Sequence, residues 1–279
     1  MTLRAAECFF RAEDRSLIHF DVRDDGPDAR GVIVFVHGLG EHFSKYDEWL
    51  RYALGRGYHV AALDLRGHGR TPGRRGDFEF EDLVGDLRRF VEVVGERWPG
   101  MPVVVVAHSL GALVTLRWAA AGVPATVRGA ALSSPAIDVV GEVPWWKRRL
   151  FLTLARTAPR TSLPRRSVVE NLTRDPERIA AWRADRLRHG RITPRAMVGI
   201  ARAMEATRGA PLEVTLPLLV LIAPEDMVTS AEAALRWAAE TGADVTVVEI
   251  PDAAHEIFND IGRDAAYERV CDWCDDRTG

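Results

Sequence analysis

Six short apolar runs constrain the fold of this chain more than any other feature of its sequence. The runs are mostly aliphatic, a composition typical of strands that are covered on both faces, as in parallel sheets. The runs lie at residues 32–36, 59–63, 103–107, 129–132, 218–223 and 245–250. Two earlier runs, 8–12 and 17–22, predict an antiparallel hairpin because Asp14 and Arg15 separate them.

Amphipathic helical patterns alternate with these runs. The clearest covers 80–98, where one stripe carries five apolar residues: Leu83, Leu87, Phe90, Val91 and Val94. The others cover 46–54, 110–121, 231–241 and 264–276. Because strands that alternate with helices form parallel sheets with helices on both faces, we predict an α/β fold.

The alternation is interrupted once, between residues 135 and 217, where prolines separate several helical pieces. About eighty residues is too long for a loop inside a compact domain. In a chain of 279 residues, we therefore predict a helical cap at 137–211, inserted into a core formed by 1–136 and 212–279.

The insert differs in charge from the rest of the chain. Residues 138–209 contain sixteen Lys and Arg against seven Asp and Glu, a net charge of +9. Since the whole chain carries −3, the remainder carries about −12. A basic insert on an acidic body favours an anionic substrate or a lipid surface, and a solvated basic face is the alternative.

Residues 103–111, with the sequence V-V-V-V-A-H-S-L-G, contain the candidate nucleophile. A strand run ends at Ala107 and a helix pattern begins near Leu110, so Ser109 lies on the turn between them. This arrangement predicts a nucleophile elbow, in which a strained turn exposes the serine oxygen above the sheet. Small residues at 107 and 111 avoid clashes there. The alternative is an ordinary serine at a helix N-cap.

A second loop, His37 to Gly40, follows the run at 32–36. In folds with a nucleophile elbow, the loop at this place supplies the second donor to the oxyanion. We therefore predict that the N–H groups of Leu39 and Leu110 form the oxyanion hole, each worth a few kcal/mol in the barrier. His37 is expected to bond loop backbone rather than to transfer protons.

An acid and a base follow the serine in chain order. Asp226 comes directly after the run at 218–223, where sites form in parallel sheets, and it is the favoured acid. Glu225 and Asp138 are the alternatives. His255 alone among eight histidines lies beyond the acid. Because an imidazole accepts a serine proton near neutral pH and a buried carboxylate fixes its tautomer, His255 is the predicted base.

These segments together resemble the monoglyceride lipase and lysophospholipase branch of the α/β-hydrolases, over nearly the whole chain. Residues 37–42 (H-G-L-G-E-H) are similar to its H-G-x-G-E-H loop, and residues 64–69 (D-L-R-G-H-G) to its D-x-R-G-H-G loop. Residues 107–111 are similar to its G-H-S-x-G elbow, with Ala107 in place of the first glycine. Residues 224–226 and 254–256 match its acid and base loops.

The resemblance implies an α/β-hydrolase fold, with a mostly parallel sheet of eight strands flanked by helices and a helical cap between strands six and seven. It implies Ser109, Asp226 and His255 as catalytic residues, and Leu39 and Leu110 as oxyanion donors. Glu41 and His42 occupy the positions of the family's E-H pair. Two roles are possible for them: structural hydrogen bonding beneath the site, or contact with the substrate.

The predicted activity is hydrolysis of a carboxylic ester in two steps. Ser109 attacks the acyl carbonyl while His255 takes its proton, and water then releases the acid from the acyl-enzyme. This mechanism requires no metal or cofactor, and we expect no nucleic-acid partner.

The segment 139–154 bears on the substrate, since it is unusually apolar and contains Lys147, Arg148 and Arg149. It favours a single-chain lipid ester, such as a monoacylglycerol or lysophospholipid, and a transient contact of the cap with a membrane surface. The alternative is a cap helix that packs onto the body.

The residue type at the nucleophile elbow distinguishes this chain from some other enzymes of the same fold. Haloalkane dehalogenases and epoxide hydrolases need aspartate there, so Ser109 argues against both. Short-chain esterases, peptidases, cofactor-free haloperoxidases and C–C hydrolases keep the serine and stay open. A non-enzymatic binding module would usually lack a member of the triad, and all three are present.

The sequence also indicates where in the cell the protein is expected. No apolar run reaches the ~18–20 residues that span a bilayer. The first fourteen residues lack the apolar core of a signal peptide. We therefore expect a cytoplasmic protein.

Overall fold

The computed structural model describes residues 8–141, 143–165, 168–209 and 212–279. The strands, in chain order, are β1 (Cys8–Arg11), β2 (Leu17–Arg23), β3 (Gly31–Val36), β4 (Tyr58–Leu63), β5 (Val103–His108), β6 (Val127–Ser133), β7 (Leu163–Pro164), β8 (Arg191–Ile192), β9 (Leu218–Ile222) and β10 (Val245–Glu249). The helices are α1 (Asp47–Gly55), α2 (Phe80–Arg97), α3 (Leu110–Ala120), α4 (Trp145–Thr157), α5 (Pro176–Ala184), α6 (Pro194–Gly209), α7 (Ala231–Glu240) and α8 (Arg263–Thr278).

The main sheet has eight strands in the order β1-β2-β4-β3-β5-β6-β9-β10. Strands β1 and β2 form the predicted antiparallel hairpin, and β2 also pairs antiparallel with β4. All other neighbours in this sheet are parallel. The predicted sheet of eight mostly parallel strands is therefore confirmed, with strand ends that differ from the sequence runs by one or two residues.

Both faces of the sheet are covered, which explains the continuous apolar runs. Along β3, Val32 and Val34 join a core that includes residues of α2 and α3. Ile33 and Phe35 point to the opposite face, where α1 and α8 supply the core. Because side chains alternate along a strand, the inner parallel strands each contribute to two cores at once, whereas no residue of the edge strand β10 is buried.

The insert lies between β6 and β9, the sixth and seventh strands of the main sheet, as expected. It contains α4, α5 and α6, together with a two-residue ladder between β7 and β8 that the sequence did not predict. In α6, Ile200 and Ala203 belong to the same core as α2 and α3. The structure describes every residue of α4, and none of them is buried. The boundaries at 137–211 stay a prediction, since α6 shares the core of the body and residue 211 lies outside the described residues.

Among the residues that the structure describes, no helix has both the length and the apolar character needed to cross a bilayer.

Close packing between α3 and β3 determines where the elbow lies. A Cβ added to Gly111 would lie 2.5 Å from the carbonyl oxygen of Val36 and 2.6 Å from that of His37. Such distances are too short for any side chain, so glycine alone lets the first turn of α3 approach the end of β3.

We expect Gly111→Ala to lower the free energy of unfolding by about 1–3 kcal/mol, because its methyl group forces α3 away from β3. Gly85→Ala is the matched control, since Gly85 is also helical and has nothing within 4 Å of its missing Cβ. We expect that control to raise stability by about 0.5–1 kcal/mol. Urea unfolding measures both variants, and effects of the same sign would contradict the packing argument.

Candidate active site

The turn between β5 and α3 has the strained geometry expected of an elbow. Ser109 has φ 50° and ψ −111°, a combination that a residue with a Cβ rarely adopts. Its N–H donates to the carbonyl of Ser133 at 2.9 Å, and its own carbonyl accepts from Leu113 at 3.2 Å and Ala136 at 3.1 Å. These three backbone bonds hold the strained conformation in place.

Three predicted site residues meet at the carboxyl ends of the strands. The imidazole Nε2 of His255 lies 3.1 Å from the hydroxyl oxygen of Ser109. Its Nδ1 lies 2.7 Å from Oδ2 of Asp226. All three residues are buried. The His255 backbone is also fixed, because its carbonyl accepts a hydrogen bond from the Ser134 hydroxyl at 2.8 Å.

The carboxylate of Asp226 accepts several hydrogen bonds besides that of the imidazole. Oδ1 accepts from the N–H of Val228 at 2.7 Å and of Thr229 at 3.0 Å, and Oδ2 accepts from the Thr229 hydroxyl at 2.7 Å. Burial opposes ionisation, but the charge of His255 and these hydrogen bonds outweigh it and lower the pKa of Asp226. The carboxylate is therefore ionised at neutral pH and can orient the imidazole.

The two alternative acids point elsewhere. The side chain of Glu225 is 79% exposed and lies 3.6 Å from Arg174. Asp138 pairs with Arg208 at 2.9 Å. Since neither contacts His255, the geometry favours Asp226.

The two amides expected to form the oxyanion hole lie at the same site. Leu39 and Leu110 line one cavity with Ser109 and His255, a space of about 120 Å³ that we call the Ser109 cavity. Within the described part of the chain, neither Leu39 N–H nor Leu110 N–H donates to another group. A Cβ added to Gly38 would lie 3.2 Å from that of Ser109, so this loop runs directly against the serine.

His37 has the structural role that the sequence suggested. Its Nε2 accepts from the N–H of Leu65 at 3.0 Å, and its Nδ1 lies 2.7 Å from the carbonyl of Gly38. Burial lowers the pKa of His37. A neutral ring with its proton on Nδ1 satisfies both contacts. His37 therefore stabilises the loop that carries Leu39.

A buried polar cluster beneath the site was missed by sequence reasoning. The ammonium of Lys45 contacts the carboxylates of both Glu41 and Glu256. The hydroxyl of Tyr46 lies 2.8 Å from Glu41 and 2.7 Å from Glu256. Glu41 also accepts from the N–H of Gly38 at 2.5 Å, which ties the cluster to the oxyanion loop. Structural hydrogen bonding therefore accounts for Glu41, which also lines the Ser109 cavity.

Charge is nearly balanced within this cluster. Burial opposes ionisation of Glu41, but Lys45 and the nearby histidines outweigh it and hold the pKa of that carboxyl well below its usual value. Burial and the Glu41 charge raise the pKa of Glu256. Ligand-type atoms of Glu41, His108 and Glu256 lie within 4.8 Å of one another, as in some metal sites. Lys45 already supplies the cation that these carboxylates need.

The insert supports the base loop and the oxyanion loop directly. The N–H of Glu256 donates to the carbonyl of Leu172 at 2.8 Å. Asp260 accepts from Arg174 N–H at 2.8 Å and from Ala254 N–H at 2.5 Å, and so joins the insert to the His255 loop. The sequence could not show that Asp260 joins the insert, because Arg174 lies 86 residues away along the chain.

On the oxyanion side, His42 connects the body to the insert. Its Nε2 lies 2.7 Å from the carboxylate of Asp185, and its Nδ1 lies 2.7 Å from the hydroxyl of Ser44. These contacts explain His42 through structural hydrogen bonding.

Comparison with known proteins agrees with this geometry. A sequence profile of the family described as "Serine aminopeptidase, S33" matches residues 27–262. The chain belongs to this family of α/β-hydrolases. It is 31% identical to the monoacylglycerol lipase of Mycolicibacterium smegmatis over 267 residues, which cover 92% of each chain. It is 26% identical to phospholipase YtpA of Bacillus subtilis, over 85% of this chain and 92% of that protein.

Among solved structures, the monoacylglycerol lipase of Paleococcus ferrophilus is similar, with a TM-score of 0.83 and 29% identity over 93% of this chain and 99% of that one. A monoglyceride lipase of Saccharomyces cerevisiae, 18% identical with a TM-score of 0.87, shares the fold over 100% of this chain and 98% of its own. The predicted monoglyceride lipase-like branch is therefore confirmed, and the chain is a hydrolase of the lipase and esterase type.

We expect Lys45→Met to lower the free energy of unfolding by about 3–5 kcal/mol, because two buried carboxyl groups lose their cation. The only other lysine, Lys147, is exposed on α4 and provides the matched control. Lys147→Met should change stability by less than about 0.5 kcal/mol. Chemical denaturation compares the two variants. A loss below about 1 kcal/mol for Lys45→Met would show that the cluster does not need its ammonium.

Proposed function

We propose that the protein hydrolyses carboxylic esters of single-chain lipids through an acyl-enzyme on Ser109. The observation that carries the proposal is the unbroken series of contacts from Ser109 through His255 to Asp226. In this series the base lies within reach of the nucleophile, and a buried carboxylate holds the base in one tautomer.

In the first step, the Ser109 oxygen attacks the acyl carbonyl and His255 Nε2 takes the hydroxyl proton. The N–H groups of Leu39 and Leu110 stabilise the oxyanion that forms. The tetrahedral intermediate expels the alcohol, which receives the proton from His255. Water then attacks the acyl-enzyme with His255 as base again, and the released fatty acid restores the free serine.

Two cavities that share lining residues support a lipid acyl chain as the substrate's apolar part. A groove of about 380 Å³ between α4 and α6 is lined by apolar residues that include Phe151, Leu152 and Met197. Val139 and Met204 line both this α4–α6 groove and the Ser109 cavity. An acyl chain that leaves the reacting carbonyl can therefore continue into apolar surroundings, where its burial favours binding.

The exposed surface of α4 supports a transient contact with an anionic membrane as part of the proposal. Trp145 is 73% exposed and Trp146 is 52% exposed. Lys147, Arg148 and Arg149 follow them directly. Aromatic and basic residues together suit the interface of an anionic bilayer. The cytoplasmic location expected from the sequence stays a prediction.

We expect Ser109→Ala to lower kcat by at least about 10⁴-fold and to abolish labelling by a fluorophosphonate probe. Asp226→Asn should lower kcat by about 10³–10⁴-fold, because the imidazole loses its orienting carboxylate. Glu225→Gln is the matched control, since it removes the neighbouring exposed carboxylate, and it should keep activity near wild type. Hydrolysis of 1-decanoylglycerol measures the series.

The same assay includes an acetate ester and an amino-acid anilide, which represent short-chain esterases and aminopeptidases. If the enzyme cleaved the acetate ester or the anilide and left 1-decanoylglycerol intact, the assignment of a lipid ester as substrate would be wrong. Full activity of Ser109→Ala on every substrate would contradict the acyl-enzyme itself.

We expect a double variant, Trp145→Ser with Trp146→Ser, to bind membranes at least about tenfold more weakly, because two interfacial aromatic rings are lost. Co-sedimentation with vesicles of equal parts phosphatidylcholine and phosphatidylglycerol measures binding. Leu235→Ser, which removes an exposed apolar side chain from α7, is the control. Equal binding of the double variant and wild type would contradict a role for α4.

A further inference from the structure

Two arginines of the insert line the Ser109 cavity and have no part in the mechanism above. Arg165 follows β7, and Arg188 lies between α5 and β8. Both line the cavity that also contains Ser109 and His255. Their position beside the reacting atoms calls for a physical explanation, because a guanidinium is charged at every ordinary pH.

Neither guanidinium has a carboxylate within 4 Å among the residues that the structure describes. Arg165 donates to the carbonyl of Leu39 at 3.3 Å, and Arg188 donates to the carbonyl of Trp182 at 3.1 Å. The Nε atom of each arginine is shielded from solvent and has no hydrogen-bond partner in the described chain. By contrast, the partly buried Arg66 makes ion pairs with several aspartates.

Carboxylates of the same cavity balance this charge only in part. Glu41 and Glu256 line the cavity, but both contact Lys45, and Glu41 also accepts from Gly38. Burial and repulsion from Arg188 lower the pKa of Arg165, and attraction to Glu41 opposes them only in part. The two guanidinium groups therefore keep positive charge in the Ser109 cavity that an anionic ligand can pair with.

We infer that Arg165 and Arg188 form a subsite for a phosphoryl group on the alcohol part of the ester substrate. The inference rests on the proposed function, since it assigns a ligand group to the part of the Ser109 cavity that the acyl chain does not occupy. Guanidinium groups present several N–H donors in a planar fork and bind phosphate oxygens in pairs. The apolar continuation at Val139 and Met204 receives the acyl chain, and the arginine side of the cavity receives the phosphorylated alcohol.

The test compares two substrates that differ only in the phosphoryl group: 1-decanoylglycerol and 1-decanoylglycerol 3-phosphate, both below their critical micelle concentrations. We expect Arg165→Gln and Arg188→Gln each to lower kcat/KM for the phosphorylated ester by about 10–100-fold, as loss of a charge-assisted hydrogen bond implies. For Arg188→Gln, which has no bond to the Leu39 loop, the kcat/KM for the neutral ester should change less than about threefold. Arg188→Lys should retain part of the preference, because it keeps the charge.

Arg186→Gln is the matched control, because Arg186 lies two residues away, is exposed and does not line the cavity. It should leave both substrates unchanged. Equal losses on both substrates for Arg165→Gln and Arg188→Gln would show that the arginines only position the Leu39 loop, and would overturn the subsite.

A binding measurement separates a head group from free phosphate. Calorimetry on Ser109→Ala uses glycerol 3-phosphate, glycerol and inorganic phosphate as probes. We expect glycerol 3-phosphate to bind more tightly than either other probe, and this binding to weaken at least about tenfold when Arg188→Gln is added. Inorganic phosphate that binds as tightly as glycerol 3-phosphate would overturn the assignment to a substrate head group.

Failure of the subsite and failure of the proposed function have different signatures. A wild-type enzyme that hydrolyses 1-decanoylglycerol, with no effect of either arginine substitution on the phosphorylated ester, overturns the subsite alone. A wild type that hydrolyses neither ester overturns the proposed function. In that case, loss of glycerol 3-phosphate binding in the arginine variants still supports a phosphate site.

Discussion

The strained turn at Ser109 is the constraint on which the rest of the site depends. Its backbone angles are unfavourable for serine, so neighbouring elements must hold them. The strand β6 does so through the carbonyl of Ser133, and α3 and the loop after β6 do so through the N–H groups of Leu113 and Ala136. The order of strands in the sheet therefore determines where the serine oxygen lies. His255 and Asp226 can meet it only because their strands end at the same edge.

The insert is a structural part of the site and not a separate cover. The carbonyl of Leu172 accepts from the N–H of Glu256 in the loop that carries His255, and the N–H of His189 donates to the carbonyl of Gly40 next to Leu39. Displacement of the whole insert would release both loops and lose the catalytic geometry. Helix α4 is different, because none of its residues is buried and it packs on α6. The contacts that hold the two loops come from the segments around Leu172 and His189, which lie outside α4.

Local patterns in the sequence predicted the sheet, the order of the site residues and the elbow, since each depends on residues that are close along the chain. The contacts of Lys45 could not be predicted in this way, because Glu256 lies in a distant loop and only the fold brings them together. The ladder between β7 and β8 is too short to leave a period in the sequence. The same limit applied to Arg165 and Arg188, which the composition identified only as part of a basic insert.

Cations of two kinds lie around the Ser109 cavity, the buried Lys45 and the partly buried Arg165 and Arg188, and their contacts distinguish a structural role from a binding role. Lys45 meets two carboxyl groups of the protein, so the fold itself satisfies its charge. The hydrogen bonds of Arg165 and Arg188 go to carbonyl groups, Arg188 also lies 5.5 Å from the centre of the Trp182 ring, and each arginine leaves a shielded N–H without an acceptor among the described residues. Such groups lower the stability of the empty protein, because their desolvation is not repaid within the fold. An anion that enters the cavity removes this cost, so the same arginines that weaken the free enzyme strengthen its complex with a charged substrate.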